Sequence, residues 1–507
     1  MSEDRFSYAL TNPLSQILNK PPRDFQREDL LSIIEKNQIE RITFHYTALD
    51  GRLKELMLPV SGRKRAEKIL AEGERVDGSS LFKGMVETAL SDVYVVPEYR
   101  TAFFNPFDQG SLDFICRYVT QDGERASFAP DNILAKAHSL FRENSGLDLY
   151  ALGEIEFYLI SAREPHTFQK ESQGGYHESS PFLKRGDILT EIVRHITQIT
   201  DAVKYAHSEV GFIDKIESEL EEIDGQQGEQ MEVEFLPRPV EEMADAMVLT
   251  RWLIRNVAFR HGCVATFSPK IEDGVAGNGM HVHLQLMEEG QNIMEGPDGR
   301  LSEKAMKLVG GLCHYADSLV AFGNTVASSY MRLVPHQEAP TKIFWSGLNR
   351  SALIRVPLAW SEVRNIAKQI NPQEESDFGG FEKSKTIELR SADGSALIHL
   401  LLAGISMAAD WGFRTPEALA LAEKLYVTGR ISDDEGVLDG FSSLPANCVE
   451  SSQILAQKRD LYEREDVFPI PIVDYVIDLL KREDFDLKGY GRIEDLRKVM
   501  HKDLHRH

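Results

Sequence analysis

Cysteine is scarce in this chain, with four in 507 residues: Cys116, Cys263, Cys313 and Cys448. None forms a CxxC pair, which removes the zinc-ribbon and thioredoxin-like readings. Scattered single thiols are typical of a reducing compartment, so a cytoplasmic location is expected. Long apolar runs are also lacking. The most apolar stretch, residues 398–409, is too short to span a bilayer, and residues 1–13 carry no apolar signal core. Positive charge is in deficit: 57 Lys and Arg face 80 Asp and Glu, a net charge of −23. Such a body repels phosphate backbones and anionic lipid, so neither nucleic acid nor membrane is an expected partner. A P-loop and a Rossmann GxGxxG turn are both missing, so any use of ATP must rest on another phosphate-binding device. Without HExxH or GxSxG, zinc peptidase and serine hydrolase chemistries lose their usual signatures.

What is present suffices for a large folded protein. Hydrophobic residues make up 42% of the chain, and its length calls for two or more structural units. Residues 1–27 read as a polar arm with a Pro21-Pro22 pair. Leu30, Leu31, Ile33 and Ile34 then recur at helical spacing. Ile42, Phe44 and Tyr46 alternate as in a strand, Asp50-Gly51 is a hairpin signal, and 53–60 is the return strand. Further strands are expected at 93–96 and 114–118, with a linker turn at 121–123. Residues 28–122 thus form one small α+β unit and 123–507 a larger one. In the larger unit, strands near 150–160, 231–235, 279–286 and 386–389 alternate with helices such as 241–261 and 302–323. Residues 217–230, acidic and rich in glutamine, read as a solvated loop.

Several of these strands carry acids or imidazoles two residues apart. In a strand, side chains at i and i+2 share a face. Glu154 and Glu156 would therefore point into one space within an apolar strand. Two like charges on such a strand are costly unless a cation lies between them. Glu-x-Glu recurs at 72/74, 217/219 and 463/465, where a solvated face is the simpler reading. His281 and His283 follow Gly277 and Gly279, glycines that let a backbone approach a ligand. A His pair alone is more often structural. Arg332, Arg350 and Arg355 flank Glu338 on a proline-stiffened loop; they suit planar recognition of carboxylate or phosphate, or else surface ion pairs. Glu388 and Arg390 place an acid and a base on one strand face.

Taken in order, these motifs resemble the glutamine synthetase family. They run Val76-Asp77-Gly78-Ser79-Ser80, Gly153-Glu154-Ile155-Glu156-Phe157, His207-Ser208-Glu209-Val210 and Gln230-Met231-Glu232-Val233. Next come Ala265-Thr266-Phe267-Ser268-Pro269-Lys270, Gly279-Met280-His281-Val282-His283, and the segments around Arg332, Asn349 and Glu388. The match covers about residues 40 to 480.

The resemblance implies an α+β fold: an N-terminal β-grasp-like domain and a catalytic domain with a curved antiparallel sheet and surrounding helices. It implies a homo-oligomer of hexameric rings, typically a dodecamer, with active sites between subunits. It implies an ATP-dependent ligation of ammonium to the γ-carboxylate of glutamate through γ-glutamyl phosphate. Metal ligands carried over are Glu156, Glu209 and Glu232 for one ion and Glu154, His281 and Glu388 for another, a set suited to Mg²⁺ or Mn²⁺. Arg350, Arg355 and His283 would face the nucleotide, and Gly277, Arg332 and Arg390 the glutamate. Asp77 would be the base, with Ser80, Tyr176 and Glu209 completing the ammonium pocket, and Glu338 would sit on a closing flap.

The chain departs from the family pattern at several points. Ala276 stands where the family has Asn beside the glutamate backbone. Glu232 follows Glu209 by 23 residues, longer than usual, and Glu234 competes with Glu232 for the ligand role. Thr386 replaces an arginine often found near the nucleotide, and no tyrosine lies in the stretch just before Leu444-Pro445, so adenylylation control of the bacterial type is not expected. A γ-glutamyl-amine ligase acting on a bulkier amine, and a non-catalytic regulatory member of the fold, are the alternative readings.

Overall fold

The computed structural model describes residues 6–82, 92–164, 168, 170–334, 339–347, 349–359, 366–376, 383–428, 440–483 and 493–506. Helix Arg27–Lys36 buries Leu30, Leu31, Ile33 and Ile34, and Gln26 and Asp29 close its start as a capping box. Strand β1 (Arg41–Thr47) turns at Asp50-Gly51 and pairs antiparallel with β2 (Leu53–Pro59). Gly51 has φ +79°, a left-handed conformation that glycine adopts without steric cost. Strands β3 (Glu74–Asp77), β4 (Asp92–Pro97), β5 (Phe103–Phe104) and β6 (Ser111–Val119) complete a first sheet of order β2-β1-β6-β4-β3, in which β1 and β6 run parallel.

A second sheet has ten strands. They are β7 (Asp148–Ser161), β8 (Val203–Ile213), β9 (Gln227–Phe235), β10 (Arg238–Pro239), β11 (Val264–Thr266), β12 (Val282–Glu288), β13 (Gln291–Asn292), β14 (Trp345–Ser346), β15 (Ile354–Arg355) and β16 (Ile387–Leu389). The order is β14-β15-β16-β12-β7-β9-β8, and every pair is antiparallel except β14 with β15. Together the two sheets and the helices around them give the expected α+β fold. Helix Ile398–Arg414 holds the apolar run 398–409; it packs between helices Pro130–Ser145 and Glu303–Gly323. Among the described residues no helix is long and apolar enough to cross a membrane. All four cysteines are buried and unpaired.

An ionic cluster ties the first sheet to helix Val240–Arg260. Asp245, on helix Val240–Arg260, accepts from Arg117 Nη1 of β6 at 2.9 Å and lies 3.5 Å from Arg100 Nη2 and from His399 Nε2. Burial raises the cost of its charge, but Arg117 and its other partners outweigh that and hold the carboxyl well below the usual range.

The segment 217–230 corrects the solvated-loop reading. Its last four residues, 227–230, open strand β9, which lies between β7 and β8 and is buried along its whole length. Glu229 is 1% exposed and is neutralised by Lys170 at 2.5 Å. Ile216 and Ile223 pin the first half into a small apolar cluster with Tyr158 and Leu504. The acids between them meet the helix Ile493–Lys502: Arg497 pairs with Glu217 at 2.5 Å and Lys498 with Glu219 at 3.0 Å. The same C-terminal segment accepts hydrogen bonds from Thr266 at Leu504 O (2.8 Å) and from Ser268 at Met500 O (3.1 Å).

Candidate active site

Strand register brings the acids together. Glu154 and Glu156 on β7 stand opposite Glu234 and Glu232 on β9, and Glu232 in turn stands opposite His207 on β8. On the other side, His281 leads into β12, whose His283 stands opposite Glu388 of β16, and Glu388 stands opposite Arg355 of β15. Partners in register share a face, so one face of the sheet collects these groups.

Glu154 is central. Its two oxygens reach His281 Nδ1 at 2.7 Å and His283 Nε2 at 2.8 Å, and His281 Nδ1 lies 3.5 Å from Glu388 Oε1. Thr386 Oγ1 holds His283 Nδ1 at 3.0 Å. Glu388 Oε1 accepts from Arg390 Nε at 3.0 Å. Arg355 Nε lies 2.6 Å from Glu388 Oε2, close as an ion pair but off the line a hydrogen bond requires. Glu156 accepts from Gly279 N at 2.8 Å and from Gln230 Nε2 at 3.1 Å.

Three groups of ligand atoms each fall within 4.8 Å of one another: Glu154, His281 and Glu388; His207, Glu209 and Glu232; and Glu154, Glu232 and Glu234. His207 was not among the expected ligands, and Glu234, the expected rival of Glu232, joins Glu232 in the third group. The 207/209 spacing is the same i, i+2 signal as 154/156 and 281/283 and could have flagged His207. Glu156 faces the same space as Glu209 and Glu232 without joining their tight group.

The charges are unbalanced. Burial, then Glu154, Glu156 and Glu209, pushes the Glu232 carboxyl well above its usual range. Glu156 is raised too, by burial foremost. Burial also opposes the Glu154 charge, but His283 and His281 outweigh it and hold that group well below its usual range. Glu234 has its own cation, Lys204 at 2.5 Å, whereas among the described residues the nearest base to Glu232 is an imidazole, His207 Nε2 at 3.8 Å. Carboxylates at this density, with one or two imidazoles, fit hard divalent cations bound through oxygen. Added positive charge here would relieve the repulsion that the protein side chains leave in place.

Beside the cluster is a cavity of about 490 Å³, lined among others by Glu156, Glu209, Gly277, His281, Arg332 and Arg390. Arg332 is buried and donates to Ser391 O at 3.1 Å, with Nη2 3.5 Å from His281 Nε2. A Cβ on Gly279 would lie 2.8 Å from Arg332 Nη2 and 3.1 Å from both Glu156 Oε1 and His281 Nε2, so glycine is required for this convergence. Ala276 lies on the cavity wall; its carbonyl accepts from Tyr158 at 2.8 Å. Tyr176, 56% exposed, stacks on His177 and meets His207 edge-on beside the Glu209 group. Arg350 is exposed on the loop before β15.

Asp77 ends strand β3 of the first sheet, and Ser80 lies in the short helix Gly78–Leu81 that it caps. Asp77 accepts from Ser79 N at 2.9 Å and from both serine hydroxyls at 2.6 Å, which hold its carboxyl below its usual range, Ser79 contributing most. Neither residue joins the acidic cluster of its own chain among the described contacts. Glu338 lies outside the described residues.

Residues 38–121 match the family model for the glutamine synthetase β-grasp domain, and residues 127–489 that for the glutamine synthetase catalytic domain. Glutamine synthetase of Pyrococcus horikoshii is 31% identical over 385 residues, covering 75% of this chain and 76% of that protein. Glutamine synthetase of Frankia alni is 28% identical over 489 residues, covering 90% and 95%. Among solved structures, Plasmodium falciparum glutamine synthetase superposes with TM-score 0.72 at 20% identity over 93% of this chain and 98% of that one. The GmaS/ADP complex superposes with TM-score 0.70 at 21% identity over 93% and 99%. With both domain models matched over most of its length, the chain belongs to the glutamine synthetase family of ligases.

Proposed function

We propose that the chain is a glutamate–ammonia ligase, consuming ATP to make glutamine. The observation that carries this reading is the acidic cluster, short of positive charge, set against a cavity containing two arginines. Mg²⁺ or Mn²⁺ held by Glu154, His281 and Glu388, and by Glu156, Glu209 and Glu232, would neutralise phosphate oxygens during phosphoryl transfer. The pairing of Glu234 with Lys204 favours Glu232 as the ligand in the second set.

The protein side chains divide the remaining tasks. Arg332 and Arg390 hold the carboxylates of glutamate, with the Gly277 backbone alongside. Arg350 and Arg355 bind the phosphates of ATP, and His283, fixed between Glu154 and Thr386, lines the nucleotide side. The γ-phosphoryl group passes to the γ-carboxylate oxygen and ADP leaves. Ammonium enters a pocket of Tyr176, Ser80 and Glu209 and gives a proton to Asp77, whose serine contacts keep it ionised. Ammonia attacks the acyl carbon and phosphate departs. Glu338 on its flap shields the acyl phosphate from water. Asp77 and Ser80 come from a neighbouring subunit in a hexameric ring, two rings forming a dodecamer. The enzyme works in the cytoplasm, without nucleic-acid or membrane partners.

Ala276 favours a second reading. A short side chain on the cavity wall leaves room that an Asn would occupy, as a γ-glutamyl-amine ligase acting on a polyamine or ethanolamine would need. Phosphate release with ATP, Mg²⁺ and glutamate separates the two. Ammonium-dependent turnover yielding glutamine supports the first reading; turnover with larger amines but not ammonium supports the second. No turnover with any amine would refute both and leave a non-catalytic member of the fold.

A further inference from the structure

A second charged cavity, of about 240 Å³, lies away from the acidic cluster, where the β1–β2 hairpin, helix Val240–Arg260 and the C-terminal segment meet. Its wall includes Asp50, Arg52, Arg251, Trp252, Arg255 and Arg506. In a chain of net charge −23, four guanidinium groups around one small cavity run against the background.

The cations are not equally satisfied. Arg506 pairs with Glu483 at 2.8 Å and Asp503 at 3.2 Å, and the neighbouring His505 pairs with Glu222 at 2.8 Å. Among the described residues, no carboxylate lies within ion-pair distance of Arg52, Arg251 or Arg255. Asp50, the acid in the wall, accepts from the Arg52 backbone N at 3.1 Å and sits 4.0 Å from Lys54. Arg52 spends its guanidinium on the carbonyls of Arg506 (3.0 Å) and His505 (3.4 Å). Arg251 is 5% exposed; among the described residues its terminal nitrogens reach only the Ala396 carbonyl at 3.4 Å and Met280 sulfur at 3.6 Å, and its Nε has no acceptor. One terminal nitrogen of Arg255 is likewise without an acceptor, and that side chain lies over the Phe267 ring at 4.9 Å.

Burial foremost, then the proximity of Arg255, lowers Arg251 to about 9; burial, then Arg52, lowers Arg255 to about 10. Unpaired guanidinium groups packed this way are strongly unfavourable unless an anion joins them. Planar N–H forks from two sides match the oxygens of a phosphate or a carboxylate. The cavity has room for such a group and is too small for a nucleotide.

We propose that this cavity is a binding site for a small oxyanion, inorganic phosphate or a short carboxylate, separate from the acidic cluster. Arg251 is its buried donor, Arg255 a partly buried one and Arg52 the outer one. Its inner wall backs onto the catalytic cleft, because Arg251 touches Met280, the residue between Gly279 and His281.

The test is thermal unfolding of the full chain in EDTA, free of nucleotide and glutamate, titrated in parallel with inorganic phosphate and with succinate. EDTA silences metal-dependent binding in the cleft, and the variants at Arg255 and Arg52 separate this cavity from anions held by Arg332 and Arg390, so failure of the proposed ligase function would not alter the result. The expected result is a saturable rise in Tm with one or both anions. Arg255→Met should abolish that rise and itself raise Tm in anion-free buffer, because it removes a partly buried charge that repels Arg251 and Arg52. Arg52→Met, at an exposed position, should weaken the anion at least tenfold. Phosphate also stabilises proteins nonspecifically, so an equal rise in wild type and both variants overturns the site, as does no rise with either anion. A structure of the assembled protein with a side-chain carboxylate of a second copy seated between Arg251 and Arg255 would also overturn it.

Discussion

Adding a single methyl group at Gly279 should injure the site without unfolding the protein. The new Cβ would lie 2.8 Å from Arg332 Nη2 and 3.1 Å from Glu156 Oε1 and His281 Nε2, where ordinary contact begins at 3.4 Å. Arg332 must then retreat by about 0.6 Å, and Glu156 and His281 by about 0.3 Å each. All three atoms are side-chain ends, so the backbone need not move. Misplacement of about 1 Å costs on the order of 100-fold in rate. Gly279→Ala is therefore expected to lower kcat/KM for glutamate roughly 10- to 100-fold, equivalent to about 1.4–2.7 kcal/mol of transition-state stabilisation. Apparent affinity for Mg²⁺ should fall with it, because Glu156 and His281 both move. The assay is ammonium-dependent phosphate release at varied glutamate and Mg²⁺, with thermal unfolding as the control for folding. Kinetics within twofold of wild type would refute the convergence of Arg332, Glu156 and His281 on this point. Gly277→Ala makes the contrast: its Cβ would meet the Pro269 carbonyl at 2.3 Å, a backbone atom that cannot swing away, so loss of stability should accompany loss of activity.

Glu232→Gln removes one of several mutually repelling carboxylates; it should raise Tm in EDTA and reduce the stabilisation that Mg²⁺ or Mn²⁺ confers, and a lower Tm in EDTA would contradict the electrostatics described. Asp245→Asn leaves Arg117, Arg100 and His399 facing a neutral group and should cost about 3–5 kcal/mol in denaturant unfolding at neutral pH. Because the folded-state carboxyl is depressed, its contribution is complete above the unfolded value near pH 4 and is lost as pH falls through the lower folded value, so the wild-type advantage over the variant should shrink only in strong acid. A cost below about 1 kcal/mol would mean that the cluster does not tie the first sheet to helix Val240–Arg260. Asp77→Ala should abolish glutamine formation while leaving metal binding intact. Mixing it with Glu156→Gln chains should restore activity in hybrids, and no restoration would rule out the neighbour's contribution.

Much of the cluster was legible because strands repeat every two residues. Glu154 with Glu156, and His281 with His283, announce a shared face by spacing alone, and the apolar residues between them announce burial. What spacing cannot give is register. That Glu234 rather than Glu232 would have Lys204, thirty positions upstream, depends on how β8 slides past β9. The same limit explains residues 227–230. A polar run of Gln, Gly and Glu looks like a loop because the groups that satisfy it, Lys170 for Glu229 and the Glu156 and Asn278 side chains for Gln230, are far away in sequence. The short strands β3, β5 and β10 were invisible for a simpler reason: two to four residues hold no periodicity to read.

The hydrogen bonds from Thr266 to Leu504 and from Ser268 to Met500 span 238 and 232 positions of the chain. Asn278, between the two glycines that shape the substrate cavity, donates to the carbonyls of the same Thr266 and Ser268. A nascent chain therefore has the whole acidic cluster translated while the loop framing the cleft still waits for residues 500–504 before it can settle. Synthesis runs from the N-terminus and domains fold as they appear, so this clasp sets a schedule: the cleft reaches its final form only after residues 500–504 have emerged, and a chain cut short before them would carry the acids without the finished frame.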